Sequence, residues 1–350
     1  MFGNYQLGQS LARSDLRSQW SQFLEGTPVR RGGQPWLYGF RNSTDARSQL
    51  ALWKAKLAPE LLPNSAPLPE ALSGGSVGTV YTSIETCVDT SDLIRGLSHQ
   101  YLDFIGKVDD PLEFSLKDRR IVTVRAGACG VGFEFHPKAV VFAAGESNVQ
   151  LLTTLCRRAQ LLPPRHRARG WHMLVVSGSK ATLPALTGCF NRSLFLVSRQ
   201  RLDDVVWLFS DGKQDRTDSE AARELYFKWK DLVPSCDSHR TRFRWGIYSA
   251  PSWELHAMDG GLPSEPQFED AQFENVTTVW PTKLSFAPAA SELLFKRIAS
   301  LTPYPSRWVR APEEWLNSLT APRTSHERWE TVLRDWSMFE ETYLGGRSKD

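Results

Sequence analysis

The stretch Lys138-Ala-Val-Val-Phe-Ala-Ala-Gly-Glu-Ser-Asn148 decides how this chain is read. Ala139 to Ala143 is a short continuous apolar run, the pattern of a strand covered on both faces in a parallel sheet. The run ends at Gly145, after which Val149, Leu152, Cys156 and Ala159 recur at three- and four-residue spacing, which predicts a helix. The three small residues at the turn, Ala143, Ala144 and Gly145, let a backbone approach a bulky ligand with no large side chain between. Ligands of open α/β sheets bind at the carboxyl ends of strands. A tight strand-to-helix turn with no ligand fits the same residues, so this segment alone leaves both readings open.

Downstream, the pattern predicts strands at Met173–Val176, Leu194–Ser198, Val205–Phe209, Arg242–Tyr248 and Val276–Trp280. Thr217-Asp-Ser-Glu220 reads as a capping box for a helix reaching about Trp229, and Pro288 suits the first turn of a helix through Leu301. Upstream, Ile121 to Arg125 and Val131 to Phe135 read as a hairpin, and a helix is predicted from Ser91 to about Leu102. The first 57 residues read as helical and polar, broken by Arg31-Gly-Gly-Gln-Pro-Trp36. Prolines and glycines make 59–78 a loop, and a last helix is expected near Arg328–Tyr343. The expected organisation is a helical segment with its loop over 1–76 and a sheet region over 77–160. A strand-rich region over 161–270, a return to the first sheet over 271–305 and a helical extension over 306–350 follow.

Composition excludes several classes. The 350 residues, 41% hydrophobic and 23% charged, describe a globular chain rather than a disordered or collagen-like one. A net charge of +3 is too balanced to imply nucleic-acid binding. No apolar run approaches the ~18 residues of a membrane span. The first twenty residues lack the charged-then-apolar pattern of a secretory signal. Five cysteines without a C-x-x-C support neither a zinc site nor a disulfide framework, so no metal is expected and the expected compartment is the cytoplasm.

Few hydrolase or nucleotide signatures are present: there is no G-x-S-x-G, no H-E-x-x-H and no P-loop. His136, His166, His172 and His256 are scattered and read as structural residues. Arg165-His-Arg-Ala-Arg169 reads as a solvated loop, and the 13 tryptophans read as packing rather than stacking surfaces. One further segment matters. Val279-Trp-Pro-Thr-Lys-Leu-Ser-Phe-Ala-Pro288 is a strand, a turn and a Pro-started helix whose first N–H groups face outward.

Taken in order, these segments resemble the FAD-dependent oxidoreductases of the D-amino-acid oxidase and glycerol-3-phosphate dehydrogenase type. Glu85-Thr-Cys-Val-Asp89 with Leu93-Ile-Arg-Gly-Leu97 looks like the strand and helix before that family's adenine-side hairpin. Val140-Val-Phe-Ala-Ala-Gly-Glu-Ser-Asn148 looks like its second flavin-domain signature. Trp171-His-Met-Leu-Val175, Leu183-Pro184 and Val206-Trp-Leu-Phe-Ser-Asp-Gly212 resemble substrate-domain strands, and Trp280-Pro-Thr-Lys-Leu284 the final turn towards the flavin. The resemblance runs from about Val77 to Leu301. It implies an α/β (α+β) fold, an incomplete FAD-binding Rossmann-like sheet joined to a mixed or antiparallel substrate sheet. FAD is the implied cofactor, with Ala143, Ala144, Gly145 and Asn148 near the dinucleotide and Thr282 and Lys283 near the flavin ring. No catalytic residue is assigned, and Lys283 is the candidate for an electrostatic role. The implied reaction is oxidation of a small amine or hydroxy substrate by hydride transfer to flavin.

The departure is as informative. Such proteins open with a buried strand and G-x-G-x-x-G, whereas residues 1–31 hold only Gly3, Gly8 and Gly26. The cluster Gly127-Ala-Cys-Gly-Val-Gly132 has the wrong order and links two strands. Without a phosphate-binding loop, a second expectation stands beside the enzyme: a non-catalytic relic or interaction protein, of unknown protein partner, that has lost FAD binding. A third is that upstream sequence supplies the missing unit.

Overall fold

A computed structural model describes residues 20–22, 25, 35–54, 64–83, 90–99, 101, 108, 111–128, 131–163, 165–213, 216–255, 265–269, 272–280, 287–301, 331–335 and 339. It is a mixed α/β architecture with three sheets.

The largest sheet has nine strands. β1 (Trp36–Phe40), β2 (Asn64–Ala66) and β3 (Thr79–Ser83) come first in the chain. A meander follows, β4 (Glu113–Lys117), β5 (Arg120–Ala128) and β6 (Val131–Phe135), then β7 (Val140–Phe142). Next are β8 (His166–Ser179), β9 (Gly188–Phe190), β10 (Leu194–Gln200), β11 (Asp204–Ser210) and β12 (Arg244–Leu255). β13 (Gln267–Glu269), β14 (Val276–Trp280) and β15 (Arg334–Asp335) complete the set. The large sheet runs β15-β12-β8-β11-β10-β9-β1-β3-β2. Among the described residues, only the β1–β9 pair in it is parallel.

One face of this sheet carries Leu174, Val176, Leu196, Trp207 and Phe209, all fully buried. They pack on a helix whose Thr217-to-Glu220 capping box forms as the sequence predicts, and which spans Asp218–Leu232. Ala222, Leu225, Tyr226, Trp229 and Leu232 of that helix sit in the same core. The opposite face holds Trp36, Tyr38 and Phe40, closed by Ala46 and Trp53 of the helix Ser43–Lys54. We call the helices α1 (Ser43–Lys54), α2 (Thr90–His99), α3 (Ser147–Arg158), α4 (Asp218–Leu232) and α5 (Ala287–Leu301).

β1 lies where the sequence pattern shows no strand. Every residue of it is buried, so it has no polar alternation to announce it. At Gly188 in β9 an added Cβ would come within 2.1 Å of Leu37 O, so the β1–β9 pairing requires glycine there.

The other two sheets are small. β7 pairs in parallel with β14, and β13 adds antiparallel to the far side of β14. The meander β4-β5-β6 contains the expected hairpin as β5–β6, extended by β4. It is fastened to the parallel pair by Asn275, which is 1% exposed. Its Oδ1 accepts from Ile121 N–H (2.9 Å) and its Nδ2 donates to Ile121 O (2.9 Å). A shared core of Phe114, Ile121, Phe142, Leu152, Leu155, Val276 and Trp280 lies between the meander, β7, β14 and α3.

Towards the end of the chain, the helix expected over Arg328–Tyr343 falls mostly outside the described residues. Of its described portion, 331–332 and 339 are helical, whereas Arg334 and Asp335 form a strand, β15, on the edge of β12. A free sheet edge there recruits extended backbone where the sequence pattern suggests a helix.

Candidate functional site at the carboxyl ends of the parallel strands

The strand–turn–helix unit predicted from 138–148 is present as β7, the turn 143–146 and α3. Ala143, Ala144 and Gly145 are exposed at the carboxyl end of β7. Gly145 has φ +58°, and a Cβ built on it would meet nothing within 4 Å. The left-handed conformation, rather than crowding, is therefore what calls for glycine, and the surface above the turn is open.

Asn148 is fully buried. Its Oδ1 accepts from Ala144 N–H at 2.8 Å, and its Nδ2 donates to Val279 O at 3.1 Å. One side chain thus ties the turn after β7 to the last residues of β14, holding the two parallel strand ends together. The sequence expectation placed Asn148 next to a ligand; both of its polar ends are engaged with the chain's own backbone. The next three N–H groups, of Ser147, Asn148 and Val149, donate to the carbonyls of Ala144 (3.2 Å), Gly145 (3.1 Å) and Glu146 (3.2 Å). Thr282 and Lys283 lie outside the described residues, which resume at Ala287.

Beneath this end of the sheet lies a polar cluster that the sequence did not reveal. His166, the first residue of β8, stacks on Trp280 with ring centroids 4.8 Å apart. Its Nε2 stands 3.5 Å from Glu269 Oε2, with the side chains only 4% and 13% exposed. Glu269 pairs across β13–β14 with Thr278. Among the described residues, His166 Nε2, Glu269 Oε2, Thr278 Oγ1 and Trp280 Nε1 have no hydrogen-bond partner. Only the pairing of distant strands brings these residues together, so no local spacing could have signalled them.

A second ionic assembly belongs to the large sheet. The Asp211 side chain, fully buried, accepts from Arg216 Nη1 (3.0 Å) and Nη2 (2.5 Å), Lys228 Nζ (2.9 Å) and Lys213 N–H (3.1 Å). Burial alone would push its carboxyl up, but the hydrogen bonds from Arg216, Lys228 and Lys213 outweigh it and hold it below the usual range. This network pins the end of β11 to α4. Neither Cys156 nor Cys236 is a candidate for chemistry: burial pushes Cys156 up, with the Glu269 charge adding to it, and raises Cys236 to about 11. Among the described residues, no group of three or more His, Cys, Asp or Glu side chains could hold a metal.

A cleft of about 900 Å³ opens between the meander and α3, lined in part by Arg125, Phe133, Glu134, Gln150, Thr154 and Arg158. Arg125 Nε donates to Glu134 at 2.7 Å, and this bond holds the exposed Glu134 carboxyl below its usual range. No helix among the described residues is long and apolar enough to cross a membrane.

The sequence matches no protein-family model and no curated protein. Solved structures do match. An FAD-dependent oxidoreductase from Pseudomonas aeruginosa superposes with a TM-score of 0.70 at 21% identity, covering 93% of this chain and 85% of that one. L-proline dehydrogenase from P. horikoshii gives 0.55 at 11% identity, covering 86% and 82%. Glycine oxidase from Geobacillus kaustophilus gives 0.54 at 14%, covering 84% and 82%. At these identities the likeness is one of fold.

Proposed function

We propose that this chain, whose fold is that of FAD-dependent oxidoreductases of the amino-acid oxidase type, is a flavin-dependent oxidoreductase acting on a small amine or hydroxy substrate. The observation that carries the proposal is the parallel β7–β14 pair, whose carboxyl ends meet at an exposed Ala143-Ala144-Gly145 turn. Solved structures of the same fold include an FAD-dependent oxidoreductase, an L-proline dehydrogenase and a glycine oxidase, and the ends of parallel strands are where such folds take ligands.

The small side chains of Ala143, Ala144 and Gly145 admit a planar group against the backbone, and Asn148 keeps the two strand ends in register beneath it. A bound flavin would supply the hydride-accepting chemistry. The chain's share of the work is then to bind, to orient and to keep water from the ring, with Thr282 beside the flavin and Lys283 as the cation that stabilises negative charge on it. No described residue carries a proton-transfer role. The substrate is a small molecule rather than nucleic acid or membrane lipid, and the cytoplasm is the proposed compartment.

A second reading is supported by one observation. Four of the six N–H groups from Ala144 to Val149 are used within the chain, which does not fit the diphosphate of a dinucleotide. On that reading the chain is a binding protein that keeps the architecture without the FAD enzyme's activity. Spectroscopy of the purified chain separates the two. Visible flavin absorbance, or a melting temperature raised by added flavin, supports the oxidoreductase. A saturating ligand at 100 times its Kd contributes about 2.7 kcal/mol. A colourless protein whose melting is unmoved by any flavin overturns it.

A further inference from the structure

The last two residues of β14 run past its ladder with β7. That parallel pairing joins Val276, Thr277 and Thr278 to Val140, Val141 and Phe142, and Val279 and Trp280 continue beyond it. Three contacts hold this projecting end. Val279 O accepts from Asn148 Nδ2, and β13 pairs Phe268 with Val279 and Gln267 with Trp280. The third contact comes from the large sheet. The ring of His166, at the start of β8, lies on the Trp280 indole with centroids 4.8 Å apart and planes inclined at 42°.

The His166 ring is itself held. Glu269 is the cross-strand partner of Thr278, and Trp280 lies two residues on, so Glu269 and Trp280 share one face of the β13–β14 pair. His166 meets that face with its Nε2 3.5 Å from Glu269 Oε2 and its side chain 4% exposed. Trp280 is buried as deeply, so neither ring can turn without displacing packed neighbours. Thr282 and Lys283, which the proposed function sets beside the flavin, follow two and three residues after Trp280. We propose that His166 is a positioning residue for the flavin site: held by Glu269 and stacked on Trp280, it lets the large sheet fix where the chain leaves β14. The inference rests on the flavin reading above and adds to it a residue that acts through Trp280.

The test has two arms, both on the full chain. Hydrogen exchange without ligand reads the contact itself: His166→Ala is expected to speed exchange at 279–280 by about tenfold, the upper end of what an aromatic pair contributes. FAD titration by flavin-fluorescence quenching reads the consequence. The Kd is expected to rise about tenfold in His166→Ala, and the visible band of the bound flavin to shift, which a loss of stability alone would not produce. His166→Phe keeps a ring on Trp280, and Glu269→Gln keeps the shape while loosening that ring; each is expected to move both readouts by about two- to threefold. A Kd for His166→Ala within twofold of wild type, or unaltered exchange at 279–280, overturns the inference and leaves the flavin reading standing. His166→Phe as impaired as His166→Ala also overturns it, since the stack would then carry nothing. Where His166→Ala does not fold, Glu269→Gln decides, and no change in either readout overturns the inference. Wild type that binds no FAD overturns both.

Discussion

The large sheet and the small parallel sheet solve the same problem of burial in opposite ways. The nine-stranded sheet is covered on one face by α4 and on part of the other by α1. Its strands reach 14 residues, and its buried carboxylate, Asp211, is fully paired. The small sheet has one parallel pair of three ladder positions and an exposed turn of small residues at its carboxyl end. The carboxyl ends of parallel strands are where open α/β sheets take ligands. The difference teaches that the large sheet is covered on both faces, whereas the small one keeps an open end, and it is that end which the proposed function gives to a ligand.

The sharpest way to break this comparison is at Asp211. Replacing it with Ala leaves buried Arg216 with Glu224 as its remaining carboxylate and takes the Asp211 partner from Lys228, and breaking such a buried pair costs up to about 3–5 kcal/mol. Chemical denaturation should show that loss while flavin titration shows no comparable change in affinity for the molecules that remain folded. The pH dependence follows from the sign of the shift. The folded-state carboxyl lies below its unfolded value, so the network's contribution is complete above about pH 4 and is lost as pH falls through the folded value. Asp211→Asn should therefore have a flatter acid limb in its stability–pH profile than the wild type.

A smaller effect is expected in the other region. Asn148→Ala leaves Ala144 N–H and Val279 O without their partner, at about 1–3 kcal/mol. If the two regions differ as described, this loss appears as local exchange around β7 and β14 and as weaker flavin binding, with the large sheet's protection unchanged. Thr217→Ala removes one half of the α4 capping box and should cost about 1 kcal/mol, read as a lower midpoint with an unchanged m-value. Least of all, Cys236 in the native protein should resist alkylation at pH 8, because its thiol is pushed up to about 11 by burial. Rapid labelling there would mean that the large-sheet core opens readily.

Much of this division is legible in the amino-acid sequence. The 138–148 unit is local, and its glycine turn and helical spacing lie within twenty residues, so periodicity is enough to place it. The capping box at Thr217 is legible for the same reason. β1 is not, since Trp36 to Phe40 is buried on both faces and lacks the alternation that marks a half-exposed strand. Nor is the meeting of His166 with Glu269 and Trp280, which depends on how β8, β13 and β14 come together. Local pattern places Asn148 at the start of a helix beside the turn, where it stands. Its bond to Val279 is a long-range contact that no local pattern encodes, and it makes the residue a clamp between the two strand ends.

Hydrogen exchange with and without saturating FAD tests the central proposal most directly. The predicted result is slower exchange in 140–158 and 276–280, with 172–177 and 205–209 of the large sheet unchanged. Protection gained equally in both regions, or in neither, would contradict the proposal that a flavin is taken at the open end of the small sheet.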